Sequence, residues 1–309
     1  LELEVMGINC HMAQEVPDDW FFMRHGKRVY DRSRYQLDYR NPEVRAYADS
    51  VIDRLIKEYG VGYIKMDYNI EPGIGTDLHA DSAGDGMLSH ERAYLKWLEA
   101  VFKRYPDLVI ENCSSGGLRM DYAMLSRYSI QSTSDQDNYR YYCTIAANSP
   151  SALTPEQSAI WSYPLREGDR EEVVFNMVNA MLLRIHQSGH LAELTQERRD
   201  LVKEALDIYK TIRKDIKNSV PIWPIGLSHF HDEWTCLGLQ SENKIYLAVW
   251  RRNGNIEIPF EQLNNKEVSV SCLYPSYSEV LFSWSKESNV LTVTMEKEFM
   301  ARLFCIEIK

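Results

Sequence analysis

The sequence has 309 residues, of which 44% are hydrophobic, and a formal net charge of −10. This length allows one large apolar core and a smaller one. The acidic balance, without a stripe of clustered lysine and arginine, argues against a nucleic-acid partner. No apolar run reaches the roughly 18 residues that a membrane-spanning helix needs, so no membrane association is expected.

The cysteines form neither a CxxC pair nor a cluster with histidine at zinc spacing. Because a chain of this length gains little from disulfides, we expect reduced thiols and a cytoplasmic protein. The chain opens on the alternating segment from Leu1 to Gly7, without an initiator methionine. We therefore expect the natural polypeptide to begin upstream of Leu1.

Strands and helices are predicted to alternate up to residue 217. Asn41-Pro42 and Gly60 are typical signals for the start and end of a first helix. Expected strands are 1–7, 62–69, 108–113, 129–134, 159–163 and 184–188, and further helices are 89–105, 118–126, 170–183 and 195–217. Loops are expected at 8–38 and 71–88. This alternation is typical of parallel βαβ units.

The pattern changes after Pro221. Short strands with period-two alternation are predicted at 244–250, 268–272, 290–295 and 301–308, with turn residues such as Asn253-Gly254 between them. This part of the chain is therefore expected to form a small all-β domain, a sandwich.

Polar side chains share one face of the strand at 62–69. One face carries Ile64, Met66 and Tyr68, and the other carries Lys65, Asp67 and Asn69. A parallel strand that is covered on both sides should be apolar on both faces. A buried Lys65–Asp67 ion pair is one explanation. The other is a site at the C-terminal end of a barrel strand, with Lys65 keeping the Asp67 carboxylate ionised.

Two further segments leave strands with polar or small residues. Residues 111–119 turn through Gly116 and Gly117, which fits either close backbone approach to a ligand or a tight turn without one. Residues 131–138 place Asp135 at the tip of a strand. It is either a second carboxylate at the same end of the sheet as Asp67, or part of an Asx turn or helix cap. Two carboxyl groups about 5–5.5 Å apart define a retaining glycosidase. His186 lacks the HExxH pattern and is interpreted as a loop or core histidine.

The three segments together resemble glycoside hydrolase family 36, the α-galactosidases. The family's Lys-Trp-Asp-x-Asn, Cys-x-Ser-Gly-Gly-x-Arg and Ser-Asp motifs read here as residues 65–69, 113–119 and 134–135. Upstream, the segment 32–45 aligns Arg32 with the family's sugar-binding arginine, and Arg34 is the alternative. The resemblance covers about residues 1–217.

This resemblance implies an α/β fold, a (β/α)8 TIM-type barrel lacking its first strands in residues 1–220, followed by a β-sandwich in 221–309. Residues 1–6 would be the third barrel strand, and the missing strands would come from upstream sequence or another chain. Met66 replaces the motif's tryptophan but should point away from the site. Gln131 or Ser132 stands where the family often has tryptophan, which leaves galactose and N-acetylgalactosamine both open.

The resemblance also implies double displacement on an α-galactoside oligosaccharide, without metal or cofactor, by an enzyme expected to be a homo-oligomer. Asp67 would be the nucleophile and Asp135 the general acid/base. The implied sugar-binding residues are Arg32, Lys65, Asn69, Cys113, Gly116 and Gly117.

Three alternatives stay open from sequence. The first is an α-N-acetylgalactosaminidase of the same family. The second is a Schiff-base aldolase using Lys65, since desolvated barrel lysines perform that chemistry. The third is a non-catalytic sugar-binding fragment.

Overall fold

The computed structural model describes residues 1–277 and 280–309. The described chain divides into two compact units, Leu1–Ser132 and Thr133–Lys309. This division differs from the predicted boundary at residue 220, and the packing of the second unit explains why.

The first unit combines a parallel sheet with short antiparallel strands. Its strands are β1 (Val5–Gly7), β2 (Met23–Arg24), β3 (Lys27–Arg28), β4 (Tyr30–Asp31), β5 (Arg34–Gln36), β6 (Tyr63–Met66), β7 (Val109–Asn112) and β8 (Ile130–Ser132). Its α-helices are α1 (His11–Glu15), α2 (Pro42–Lys57), α3 (Ala83–Arg104) and α4 (Tyr122–Leu125). Strands β6, β7 and β8 are parallel neighbours in that order, as the βαβ pattern predicted.

The two long helices of this unit begin at side-chain caps. The Asn41 side chain accepts a hydrogen bond from the Glu43 backbone N–H, and Pro42 is the first helical residue of α2. The Ser82 side chain caps α3 in the same way through Asp85, which starts this helix earlier than its apolar pattern suggested. The buried faces of both helices join Ile64 and Met66 in one apolar core.

The first residues do not form the long strand that was predicted. Strand β1 spans only Val5–Gly7 and pairs antiparallel with β5, and the expected loop at 8–38 contains α1 and four short strands. Leu1 instead adjoins the end of β6, because its carbonyl accepts a 2.7 Å hydrogen bond from the Asp67 N–H. The opening segment therefore lies beside the predicted nucleophile.

An ion pair beneath β6 gives a testable contribution to stability. Arg119 Nη1 donates to Glu4 Oε1 at 2.8 Å, and the guanidinium lies 4.2 Å from the ring centre of Tyr68. Since both charged side chains are largely buried, we expect Arg119→Met to lower the free energy of unfolding by about 3 kcal/mol. Arg127→Met, which breaks a more exposed pair with Glu99, should cost less than about 1 kcal/mol. Urea titrations of both variants measure the difference, and equal losses would contradict it.

The second unit begins with helices and two parallel strands and continues into antiparallel sheets. Its α-helices are α5 (Tyr139–Asn148), α6 (Arg170–Met181) and α7 (Gln196–Ile216). Its strands are β9 (Ser158–Ser162), β10 (Arg184–Gln187), β11 (Val220–Ile222), β12 (Trp234–Gln240), β13 (Lys244–Arg251), β14 (Ile256–Pro259), β15 (Val268–Tyr274), β16 (Val280–Ser285), β17 (Val290–Met295) and β18 (Met300–Ile308). Strands β9 and β10 are parallel.

Two antiparallel sheets form the expected sandwich. One has the order β11-β12-β13-β18-β15 and the other β14-β17-β16. Their inner faces share an apolar core that includes Leu247, Leu291 and Phe304. The opposite face of the first sheet shares a second core with α5, α6 and α7, through residues such as Trp250 and Leu303. This shared core joins the helices to the sandwich, so the compact unit begins at Thr133 although the strand pattern changes at 220.

Candidate active site

The polar alternation predicted for the end of β6 is present. Ile64, Met66 and Tyr68 are buried, whereas Lys65, Asp67 and Asn69 retain exposed surface. The Met66 sulfur lies in the core beside the hydroxyl groups of Tyr94 and Tyr128, so this side chain points away from Asp67 as expected. Asp67 follows β6 directly and is therefore placed at the carboxyl end of a parallel strand.

Hydrogen bonds hold the Asp67 carboxylate in its charged form. Its Oδ1 accepts from the backbone N–H of Tyr68 at 2.9 Å and of Ser115 at 3.3 Å. Partial burial by itself would raise the pKa of this carboxyl. Hydrogen bonds from Asn69, from the Cys113 thiol and from the two backbone N–H groups outweigh that effect and hold the pKa below its ordinary value. The group is thus an anion at neutral pH.

The turn after β7 supplies two of these donors. Ser115 (φ 43°) and Gly116 (φ 82°) adopt left-handed backbone conformations, which reverse the chain over a very short distance. The reversal aims the Ser115 N–H at Asp67 and at Asn69 Oδ1, which it meets at 3.1 Å. Burial raises the pKa of the Cys113 thiol, so this group stays protonated and able to donate. The predicted motif at 113–117 therefore contacts Asp67 chiefly through Cys113 and Ser115.

Asn69 links Asp67 to an ion pair that sequence reasoning did not include. Its amide nitrogen donates to Glu2 Oε1 at 2.8 Å, and its oxygen accepts from the Ser115 hydroxyl at 2.7 Å. Arg34 donates to both carboxylate oxygens of Glu2, through Nη2 at 2.9 Å and through Nε. Glu2 gave no signal in the sequence, because its neighbours alternate like any strand and only the fold brings it to Asn69.

The two candidate arginines lie in different surroundings. Arg32, the first choice from sequence, is half-exposed and pairs with Glu71 at 2.9 Å and Asp31 at 3.6 Å. The hydrogen bonds to Glu2 raise the pKa of Arg34, and the negative charges of Glu2 and, to a smaller extent, Asp67 act in the same direction. Arg34 thus lies near the predicted nucleophile, and the choice between Arg32 and Arg34 as the sugar-binding arginine stays a prediction.

Lys65 forms an ion pair other than the one expected. Its ammonium lies 3.4 Å from Glu111 Oε1, a carboxylate that is almost fully buried on the adjacent strand. The two residues are register partners in the β6–β7 ladder, which explains why they meet. The expectation that Lys65 is the main group keeping Asp67 ionised is therefore corrected, because the largest lowering contributions to the Asp67 pKa come from neutral donors.

Asp135 lies at the start of the second unit, and its side chain is exposed. The preceding residues are fixed against β9, since Thr133 Oγ1 donates to the Ala159 carbonyl at 2.8 Å. The following residues form a turn in which the Ser134 hydroxyl accepts from the Gln136 N–H at 3.1 Å. The cap of α5 is Asn138 rather than Asp135, so the helix-cap interpretation of Asp135 is wrong.

Removing Asn69 tests the hydrogen bonding around Asp67. Because Asn69 favours the charged carboxylate, Asn69→Ala should raise the pKa of Asp67. In a hydrolase that uses this anion, the acid limb of the kcat/KM–pH profile then moves to higher pH. The control is Asn218→Ala at an exposed position after α7. An acid limb unchanged in the Asn69 variant would show that this amide does not stabilise the reactive anion.

The family model for melibiases matches residues 1–218. The chain belongs to the melibiase family. Among curated relatives, α-galactosidase Mel36A of Lactobacillus acidophilus is 30% identical over 125 residues, which are 39% of this chain and 17% of that protein. α-Galactosidase AgaA of Geobacillus stearothermophilus is 22% identical over 237 residues, or 69% of this chain and 30% of AgaA.

Solved structures of family 36 α-galactosidases have the same fold. A raffinose complex of an AgaA variant from Geobacillus stearothermophilus gives a TM-score of 0.83 at 16% identity, covering 100% of this melibiase-family chain and 44% of that chain. The α-galactosidase from Lactobacillus brevis gives 0.81 at 17% identity, with coverage of 100% and 44%. The chain thus spans less than half the length of these relatives. The parallel strand–helix units and the antiparallel sheets agree with the predicted barrel and sandwich, and closure of the barrel stays a prediction.

In the part of the chain that the structure describes, no helix combines the length and apolar character needed to cross a bilayer. Within residues 1–277 and 280–309, no three His, Cys, Asp or Glu side chains are grouped so that they could hold a metal ion.

Proposed function

We propose that this chain carries the catalytic residues of a retaining α-galactosidase. The observation that carries the proposal is the state of Asp67, a half-buried carboxylate at the end of a parallel strand, held charged by Asn69, Cys113 and Ser115. A carboxylate nucleophile needs this combination of accessibility and negative charge. Membership of the melibiase family supports the same chemistry.

In the proposed mechanism, Asp67 attacks the anomeric carbon of a terminal α-galactoside and forms a β-galactosyl ester. Asp135 donates its proton to the glycosidic oxygen as that bond breaks. The Asp135 carboxylate then removes a proton from water, which attacks the anomeric carbon and releases Asp67 and α-galactose. The proton that Asp135 gives to the leaving oxygen in the first step is replaced in the second by one taken from water, so Asp135 ends the cycle protonated again.

The groups around Asp67 would hold the sugar. Asn69, Lys65 and the Glu2–Arg34 pair present donors and acceptors beside the nucleophile, which suits recognition of several hydroxyl groups. Cys113 and the turn at Ser115 would act on the Asp67 carboxylate itself, and Gly116 and Gly117 would leave room for the ring.

The alternatives gain less support. The Lys65 nitrogen lies 3.4 Å from Glu111 Oε1, so the amine that a Schiff-base mechanism would need as its nucleophile is held in an ion pair. Gln131 and Ser132 are both buried, and Gln131 accepts a 2.7 Å hydrogen bond from Asn112, so neither residue offers an open space for an N-acetyl group. A substrate with a free 2-hydroxyl is therefore the form we propose.

Product stereochemistry tests the proposal. We expect the intact enzyme to cleave p-nitrophenyl α-galactoside and to release α-galactose first, as followed by proton NMR before mutarotation. First release of β-galactose would contradict the retaining mechanism. Faster cleavage of the corresponding N-acetylgalactosaminide would identify N-acetylgalactosamine as the preferred sugar. Binding of galactosides without turnover would support a non-catalytic role.

A further inference from the structure

Two aromatic side chains lie side by side at the carboxyl end of β9. The rings of Trp161 and Tyr163 are stacked, with centroids 5.7 Å apart and planes inclined by 23°. Trp161 is the penultimate residue of β9 and Tyr163 follows the strand directly, so both project from the same face. Both side chains are partly exposed. A third ring, that of His186, meets Trp161 edge-on at 5.2 Å.

The backbone edge of β9 is fixed beside the segment that carries Asp135. The Trp161 N–H donates to the Tyr142 hydroxyl oxygen at 3.1 Å. The Tyr142 hydroxyl in turn donates to the Ser134 carbonyl oxygen at 3.4 Å. Together with the bond from Thr133 Oγ1 to the Ala159 carbonyl, these contacts tie residues 133–134 to residues 159–161. Asp135 follows Ser134, and Tyr163 lies two residues after Trp161. The two side chains are near enough for the charge of Asp135 to act on Tyr163.

The backbone around Tyr163 is held rigidly. Its N–H donates to Asn176 Oδ1 at 3.0 Å. Gly189 has a φ of +81°, and a Cβ there would lie only 2.6 Å from the Pro164 carbonyl oxygen and 2.9 Å from the Tyr163 carbonyl carbon. Glycine therefore lets the loop after β10 pack directly on the Tyr163–Pro164 backbone. A rigid support of this kind suits a ring that must be presented in one orientation.

We propose that Tyr163, stacked on Trp161, forms an aromatic wall of the subsite that receives the sugar leaving group beside Asp135. A flat aromatic face packs against the C–H groups of a sugar ring, while neighbouring polar groups bind its hydroxyls. Burial, together with the charges of Tyr142, Asp135 and Asp137, raises the pKa of Tyr163, so its hydroxyl stays a donor. The inference rests on the proposed function, because it needs Asp135 as the acid/base.

Two substrates with the same galactosyl group but different leaving groups test the leaving-group subsite separately from the galactose site. Raffinose has a disaccharide leaving group, whereas α-galactosyl fluoride has the same galactose and no leaving sugar. In the intact enzyme, Tyr163→Ala should lower kcat/KM for raffinose about tenfold and leave that for the fluoride within about twofold. Tyr163→Phe keeps the ring and should retain most of the raffinose activity. The matched control is Tyr141→Ala, an exposed aromatic of α5 that packs on Phe230 and His231.

Other outcomes overturn the inference. Equal losses on both donors would show that Tyr163 supports the fold rather than the leaving sugar, and no loss on either would show no contact. A Phe variant as poor as the Ala variant would assign the effect to the hydroxyl instead of the ring. Tyr163→Leu, which keeps most of the side-chain volume, repeats the comparison if the alanine variant does not fold. An unmodified enzyme inactive on both donors would refute the proposed function first.

Discussion

Asp67→Gly is expected to lower kcat for α-galactosides by on the order of 10⁴-fold or more, because the variant lacks the carboxylate that would form the galactosyl ester in the proposed mechanism. The shortened side chain leaves space next to the anomeric carbon. Added azide should enter this space and attack an activated donor such as α-galactosyl fluoride. A single displacement inverts the anomeric centre, so the product should be β-galactosyl azide.

The control for this variant is Asp107→Asn, an exposed carboxylate in the loop before β7. It should keep the activity of the unmodified enzyme. Asp67→Gly with more than a few per cent of that activity would exclude Asp67 as nucleophile. An azide product with the α configuration would also exclude it, since that product requires an intact glycosyl-enzyme.

Asp135→Ala should show a different dependence on the substrate. Loss of a general acid lowers rates by about 10²–10⁴-fold when the leaving group needs protonation. We therefore expect a large fall in kcat/KM for raffinose. The fall for α-galactosyl fluoride should be small, because fluoride leaves without being protonated. Azide should restore turnover by attacking the galactosyl ester on Asp67, and the product should be α-galactosyl azide.

Asp137→Ala is the matched control, because Asp137 is an exposed carboxylate on the same segment. It should change kcat/KM for raffinose only slightly, since Asp137 transfers no proton in the proposed mechanism. If Asp137→Ala instead gave the leaving-group dependence and the α-configured azide, the acid/base assignment would pass from Asp135 to Asp137.

The sequence predicted the positions of strands β6 to β10, although β6 and β8 end before the predicted residues. In β6, burial on one face and polar groups on the other leave a period-two pattern. The contrast between Met66 and Asp67 follows from that pattern alone. Helix α5 was missed although Tyr142, Cys143, Ala146 and Ala147 are buried at helical spacing, because this helix has only 10 residues and its apolar pattern is short. Likewise, the core shared by α6, α7 and the first sheet of the sandwich depends on tertiary contacts, and the strand pattern could not show it.

The site shows the same limit. Asp67, Asn69 and Cys113 could be selected from motifs, yet the partners of each side chain could not. Lys65 meets Glu111 because the parallel register sets them opposite each other. The sequence of neither strand shows that register. Glu2 reaches Asn69 across a sequence separation of 67 residues, so only the folded chain reveals it.

Covalent trapping tests the central assignment most directly. The intact enzyme is treated with a fluorinated galactosyl inactivator, digested and analysed by mass spectrometry, with Asp67→Gly treated in parallel. We predict one fluorogalactosyl label, carried by the peptide that contains Asp67 and localised to that carboxylate, and no label in the variant. A label on any other residue would contradict Asp67 as the nucleophile.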